Sequence, residues 1–403
     1  MLTWSRNGEG LTGWGEAARL EVSGPDRFAE AARWWRELCA AAEVADAVGA
    51  SGCGPVAFGS FTFYDRSPSE ASVLLVPEVV LGLRADRAWL TTITPAGAAA
   101  GSPPPPPLPT PPPSPAAPTG TAAPTNTTNT VTWAEGRVTE QAYMAAVARG
   151  VERIRSGDAA KIVLARDLVA TAEAPFDVRR VLARLAGRFP DCWTFSVDGL
   201  VGATPELLLR RSGDVVHSRV LAGTAWRDTA TDDAAGAAEA VVEGLLHSAK
   251  DREEHGYAVR SVADALAPYC AELAVPEEPR ALCLPNVVHL STDLSGRLAS
   301  PSSVLELVGA VHPSAAVCGT PTGSAERLIA ELEGLDRERY SGPVGWVDAS
   351  GDGEFGIALR CGRISGRTAR LFAGCGIVAD SRPERELAET AAKFAAMRGA
   401  LEG

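Results

Sequence analysis

The chain has 403 residues, 46% of them hydrophobic, which is enough apolar material for one large core or two fused subdomains. A formal charge of −12 without a basic stripe argues against nucleic acid or an anionic membrane as the main partner. No apolar run approaches the roughly 18 residues of a membrane span. The start MLTWSRNGEG lacks the basic-then-apolar order of an export signal, so a cytoplasmic protein is expected.

Residues 1–101 read as scaffold: one strong helix, DRFAEAARWWRELCAAAEV, then strand-like runs within GPVAFGSFTFYD and SVLLVPEVVLGL. Residues 102–130, SPPPPPLPTPPPSPAAPTGTAAPTNTTNT, lack the apolar residues to pack and read as extended polyproline passing into coil, a linker or surface loop. The third part, 131–403, holds helix QAYMAAVARGVERIRSG, strand KIVLARDLVA, helix DVRRVLARLAG and strands within CWTFSVDGLVGATPELLLRR. One long helix is expected over AGAAEAVVEGLLHSAKDREEHGYAVRSVADALAPYC, followed by strand NVVHLSTDLSGRL and helix SAERLIAELEG. The segment GPVGWVDASGDGEFGIALRCGRI reads as a hairpin turning at Ser350–Gly353. Last come a strand from Leu371, turning through Gly374 and Gly376, and a helix that Ser381 and Glu384 should open as a capping box.

The eight cysteines form no CxxC pair and no Cys/His cluster of zinc spacing, so they read as reduced core thiols. No P-loop, GxSxG or HExxH is present. Four places carry ionisable groups in apolar or glycine-rich surroundings, where burial shifts pKa values. Lys161 enters an apolar strand, where desolvation would make it a base; the ordinary alternative is a lysine reaching out to water. Glu206, between a proline and LLL, would hold its proton if buried and serve as a general acid. Glu254 shares a helix face with Lys250, Asp251 and Ala258, a charge cluster of the kind that usually faces solvent. In the tail, Arg360, Gly374, Gly376, Glu389 and Lys393 combine cations with glycine N–H groups, as a carboxylate site requires. Glu389 and Lys393 are four apart on one helix face, and such pairs are most often surface decoration.

Ten segments, in order, KIVLAR, GATPELLLR, LAGTA, KDREEH, HLSTDL, HPSAAVCGTP, RYSGPVGWVD, IALRCG, FAGCGIV and ERELAETAAK, resemble those of chorismate-utilising enzymes, and the set most resembles the isochorismate synthases among them. The resemblance is dense from Val138 to Leu401. It implies an α/β (α+β) fold with two large antiparallel sheets, helices outside, and an active site in the cleft between them. It further implies a monomer acting on chorismate and isochorismate, for menaquinone or catechol siderophore synthesis. The implied roles are Lys161 as the base that activates water and Glu206 as the acid that protonates the departing hydroxyl. Glu254 and Glu389 would hold Mg²⁺, on which the ring carboxylate lies. Arg360, Gly374 and Lys393 would take the pyruvyl carboxylate, and Gly223, Thr224, His289, Ala316 and Tyr340 would complete the substrate site.

Within the family, ammonia-using anthranilate synthases typically carry glutamine where this chain has Lys161, and aminodeoxychorismate synthases often carry PIKGT where it has VLAGT, with Ala222 in the lysine's place. Salicylate-forming relatives resemble HPTVTASG, with threonine in place of Ala316. HPSAAVCG therefore points to release of isochorismate, while Tyr340 is shared with the salicylate synthases.

Overall fold

The computed structural model describes residues 1–65, 67–85, 87–95, 129–226, 234–283 and 287–403. The proline-rich segment expected at 102–130 lies outside these residues except for its last two. Two antiparallel sheets organise the rest. The first runs in the order Gly319–Thr320, Lys161–Ala172, Thr368–Ile377, Cys361–Ser365, Leu200–Thr204, Trp193–Val197, Leu2–Arg6, Glu9–Trp14, Val79–Arg84 and Arg87–Thr92, with Val131–Glu135 also paired to Lys161–Ala172. The second runs Cys270–Ala274, Val287–Leu298, Val215–Trp226, Leu207–Ser212, Gly353–Ile357, Pro343–Asp348, Val56–Ser60, Ser72–Val76 and Ala18–Val22, with Arg280–Cys283 paired to Val287–Leu298. The N-terminal segment thus contributes strands to both sheets.

A main core that includes Trp4, Phe195, Leu209 and Phe355 joins the two sheets, and Trp4 donates through Nε1 to Glu354 Oε2 across them at 2.9 Å. A second core sets Val181 and Leu185 of helix Val178–Arg188 and Phe394 and Met397 of helix Pro383–Glu402 against Ala373 and Leu371 of the first sheet. Strand Lys161–Ala172 is covered on both faces over its first half, which is why its apolar residues come as runs, IVLA and LVA, rather than in alternation. Helix Glu140–Arg155 covers it, capped by Thr139, whose hydroxyl accepts from Ala142 N–H. Its buried Tyr143, Val147, Gly150 and Ile154 follow the helical period, and at Gly150 an added Cβ would stand 3.0 Å from Ile162 Cδ1.

Three local expectations fail. The chain does not turn at Gly374 and Gly376: strand Thr368–Ile377 runs through both, with Gly374 paired to Ala165 and Gly376 to Val163. The single helix expected over 235–270 is two, Ala234–His247 and Ala249–Leu266, because Ser248 is extended and its hydroxyl accepts from Asp251 N–H as an N-cap. Ser381 does not open the last helix: its hydroxyl accepts from Val378 N–H, and the helix starts after Arg382 with Pro383 in its first turn and no side-chain cap. The turn at Ser350–Gly353 forms as expected, with Asp348 Oδ1 accepting from Ser350 N–H, Ser350 Oγ and Asp352 N–H. Gly8–Gly13 and Gly351–Gly356 both have GxGxxG spacing, but each lies in a β-hairpin and not ahead of a helix, so neither is a dinucleotide loop. Among the described residues no helix is long and apolar enough to cross a membrane.

Candidate active site

Three parts of the chain far apart in sequence build the floor of a cleft: strand Lys161–Ala172, strand Thr368–Ile377 beside it, and helix Ala249–Leu266 across from them. Lys161 starts the first strand with its side chain 1% exposed, and its Nζ lies 3.0 Å from Glu254 Oε1. Beyond this ion pair, no acceptor among the described residues reaches that ammonium. Burial tends to raise the Glu254 carboxyl, but the Lys161 charge and hydrogen bond, with Lys393 and Lys250 further off, hold it below the ordinary glutamate value. Gly376 makes room for the pair: a Cβ there would overlap Glu254 Oε1 and stand 2.9 Å from Lys161 Cε.

Glu206 lies in the link from strand Leu200–Thr204 of the first sheet to Leu207–Ser212 of the second, 4% exposed, and its Oε1 accepts from Leu221 N–H at 3.4 Å. Burial pushes its carboxyl up to about 8, against the weaker pull of that N–H and of Lys161, Arg360 and Lys393. It is therefore a protonated acid at neutral pH.

A bulge puts the next groups in place. The register between Val215–Trp226 and Val287–Leu298 shifts between Ala222 and Thr224, and the intervening Gly223 has φ +75°, a conformation that favours glycine. After the bulge Thr224 Oγ1 meets His289 Nδ1 at 3.0 Å, and His289 Nε2 meets Arg360 Nη2 at 3.3 Å. A guanidinium only donates, so Nε2 must accept and the ring carries its proton on Nδ1, donated to Thr224. Burial and the charges of Arg360 and Lys393 hold His289 well below the usual histidine range, so it stays neutral and aims Arg360. Arg360 itself sits at φ +49°, an uncommon conformation for a side-chain-bearing residue.

Helix Pro383–Glu402 supplies the remaining charges. Lys393 Nζ donates to Gly374 O at 2.8 Å and pairs with Glu389 Oε1 at 2.6 Å. This pair is part of the cleft wall, not surface decoration. Glu386, one turn earlier, was missed by sequence reasoning although it lies three residues before Glu389 and seven before Lys393, on the same face. Ligand atoms of Cys375, Glu386 and Glu389 lie within 4.8 Å of one another. Burial first, then the Glu389 charge, push Glu386 up to about 7, as expected for crowded carboxylates. Cys375 is buried, pushed well up, and donates to Glu386 O at 3.4 Å, so it remains a thiol.

Ala316 and Tyr340 line the far wall. The Tyr340 ring stacks on Phe372, another lining residue not foreseen, with centroids 5.2 Å apart and planes 11° off parallel. Glu206, Gly223, Thr224, Glu254, His289, Ala316, Tyr340, Arg360, Gly374, Glu389 and Lys393 thus all face one cleft, and Lys161 lies against Glu254 at its floor.

A sequence profile described as chorismate binding enzyme matches residues 2–402. The isochorismate synthase DhbC of Bacillus subtilis is 42% identical over 272 residues, covering 64% of this chain and 67% of that protein. A salicylate biosynthesis isochorismate synthase of Pseudomonas aeruginosa is 34% identical, with 99% of this chain and 84% of that protein covered. A crystal structure from Bacillus anthracis, provisionally described as a 2,3-dihydroxybenzoate-specific isochorismate synthase, superposes with a TM-score of 0.78 at 33% identity over 99% of this chain and 96% of that one. The chain belongs to the chorismate-binding enzyme family.

Proposed function

We propose that the protein isomerises chorismate to isochorismate, adding water at ring C2 while the C4 hydroxyl departs. The observation that carries this reading is the placement, at one cleft, of a buried carboxyl that keeps its proton to about pH 8 and of a buried lysine whose only charged partner among the described residues is the cleft residue Glu254. The similar proteins named as isochorismate synthases support it.

Water is too weak a nucleophile unless a base takes its proton, and hydroxide leaves too poorly unless an acid supplies one. Lys161, in its uncharged amine form, takes the proton of the incoming water, and Glu206 gives its proton to the departing oxygen. The atoms balance as one water in and one water out, with the ring double bonds shifted. Arg360, aimed by His289, and Lys393 bind the pyruvyl carboxylate of the substrate at the end of the cleft where Gly374 leaves the backbone bare. Burial strengthens each of these charge contacts.

The donor set fits Mg²⁺. Glu254, Glu386 and Glu389 offer hard oxygen atoms, and Glu386 and Glu389 lie within 4.8 Å of each other beside Cys375, which stays a thiol. Glu254 and Glu389 would hold the ion with Glu386 beside them; when bound it neutralises the ring carboxylate and orients the ring. Incubating purified protein with chorismate and Mg²⁺, and resolving products by chromatography with mass detection, tests the reading. Isochorismate is the expected main product; chorismate left unchanged, or an aminated product formed only with ammonia, would overturn it.

A further inference from the structure

Glu333 and Arg337 lie outside the cleft and are absent from the reaction just described, yet they form the most deeply buried ion pair among the described residues, with side chains 1% and 0% exposed. The pair is bidentate: Nε donates to Glu333 Oε1 at 2.7 Å and Nη2 to Oε2 at 2.6 Å. The guanidinium then continues outward. Nη1 donates to Val317 O at 2.8 Å and Nη2 to Val163 O at 2.7 Å, while its Cζ lies 4.2 Å from the centre of the Phe63 ring. Glu333 Oε2 in turn accepts from Ala165 N–H at 2.8 Å.

Two of these partners, Val163 and Val317, line the cleft. Val163 is two residues beyond Lys161 on the same strand face, and Val317 follows Ala316. Arg337 O accepts from Tyr340 N–H at 2.9 Å, which sets the turn leading to the third wall. One fork of fixed geometry therefore ties the strand of Lys161 to the segment of Ala316 and to the turn of Tyr340. An ammonium could keep the charge but not span two carbonyls and a carboxylate at once.

We propose that Arg337, held by Glu333, is a positioning residue that sets the distance between Lys161 and the Ala316 segment, and so the alignment of the attacking water with the ring. This rests on the chorismate reading of the cleft. A displacement of about 1 Å in such an arrangement can cost on the order of 10²-fold in rate.

Two variants test it. Arg337→Lys retains the charge opposite Glu333, and the double variant Glu333→Leu/Arg337→Met replaces the pair with apolar groups, a change that buried pairs often tolerate in stability. Both are expected to melt cooperatively and to lose kcat by roughly ten- to a hundredfold while KM for chorismate changes less than about threefold, the split that marks lost alignment rather than lost binding. Hydrogen exchange should quicken in peptides spanning 161–167 and 314–320 and remain unchanged in Val287–Leu298. A folded variant with wild-type kcat, or exchange that quickens evenly over the whole chain, would overturn the proposal. If the wild type leaves chorismate untouched, the functional reading fails, and the exchange pattern alone still decides whether Arg337 ties these walls together.

Discussion

Lys161 Nζ and Glu254 Oε1 meet at 3.0 Å across a gap that only glycine at position 376 leaves open. Gly376 does not lie in the left-handed region, so its backbone accepts a side chain; the obstacle is the pair itself. Gly376→Ala should therefore fold and melt close to the wild type, yet push Lys161 and Glu254 apart and lower kcat on the order of 10²-fold. Steady-state kinetics beside a thermal melt checks this, and wild-type turnover in the alanine variant would show that the pair has slack.

Glu206 links catalysis to stability. Its carboxyl is raised from 4.5 in the unfolded chain to about 8 in the fold, so the native state binds the extra proton and stability falls as pH rises between those values. At pH 7 the penalty is about 3 kcal/mol on the order-of-magnitude rule of 1.36 kcal/mol per pH unit. Glu206→Gln removes it. The variant should lose turnover by about 10² to 10⁴-fold, match the wild type in melting temperature near pH 4.5, and exceed it increasingly up to pH 8. Wild-type activity should decline above about pH 8 as the acid ionises. Equal melting temperatures at pH 8 would show that the carboxyl is not held protonated.

Much of this site is legible along single elements. Lys161 in an apolar strand, Glu206 after Pro205, and Glu389 with Lys393 on one helix face are local patterns. What was not legible depends on contacts between distant segments. The 235–270 stretch has helical composition throughout, and only the Ser248 bond to Asp251 N–H divides it, bringing a helix N-terminus and Glu254 to the cleft. Thr224, His289 and Arg360 align because of a one-residue register shift at Gly223, which no periodicity in either strand reveals. Glu386 is different: its spacing from Glu389 and Lys393 was visible, but three carboxylates or cations on a helix face look the same whether they meet solvent or a cleft.

The carboxylates separate by what they already hold. Glu254 is tied to Lys161 and Glu389 to Lys393, whereas Glu386 has no cationic side chain within salt-bridge distance among the described residues. Glu254→Ala and Glu389→Ala should each raise the Mg²⁺ concentration for half-maximal activity by tenfold or more, taking about 1.4 kcal/mol per factor of ten. Glu386→Gln should shift that midpoint less, since burial disfavours the charged form of this carboxyl. A Mg²⁺ titration of each variant is the measurement, and an unmoved midpoint in the two alanine variants would remove them from the ion's site.

Product choice turns on one methyl group. Ala316 faces the cleft between Ala315, whose N–H donates to Ser261 Oγ at 2.9 Å, and Val317, whose carbonyl Arg337 holds, so its Cβ is presented on a fixed backbone. Salicylate-forming relatives resemble this segment with threonine at that place, and a hydroxyl there would accept or donate a hydrogen bond to the enolpyruvyl arm, holding it for loss of pyruvate. With alanine no such bond forms, and isochorismate should leave before the second step. The wild type is therefore expected to yield isochorismate with at most a trace of salicylate, and Ala316→Thr to gain salicylate and pyruvate in equal amounts. Restraining one torsion needs to change the barrier by only about 1.4 kcal/mol for a tenfold gain. Tyr340, stacked on Phe372, already supplies the phenol shared with those relatives and stays protonated because burial pushes it up to about 12. Salicylate fluorescence followed over time in both proteins, corrected for spontaneous decay of isochorismate, gives the answer. Mostly salicylate from the wild type would overturn the product assignment, whereas no gain in the variant would dismiss only the role of residue 316.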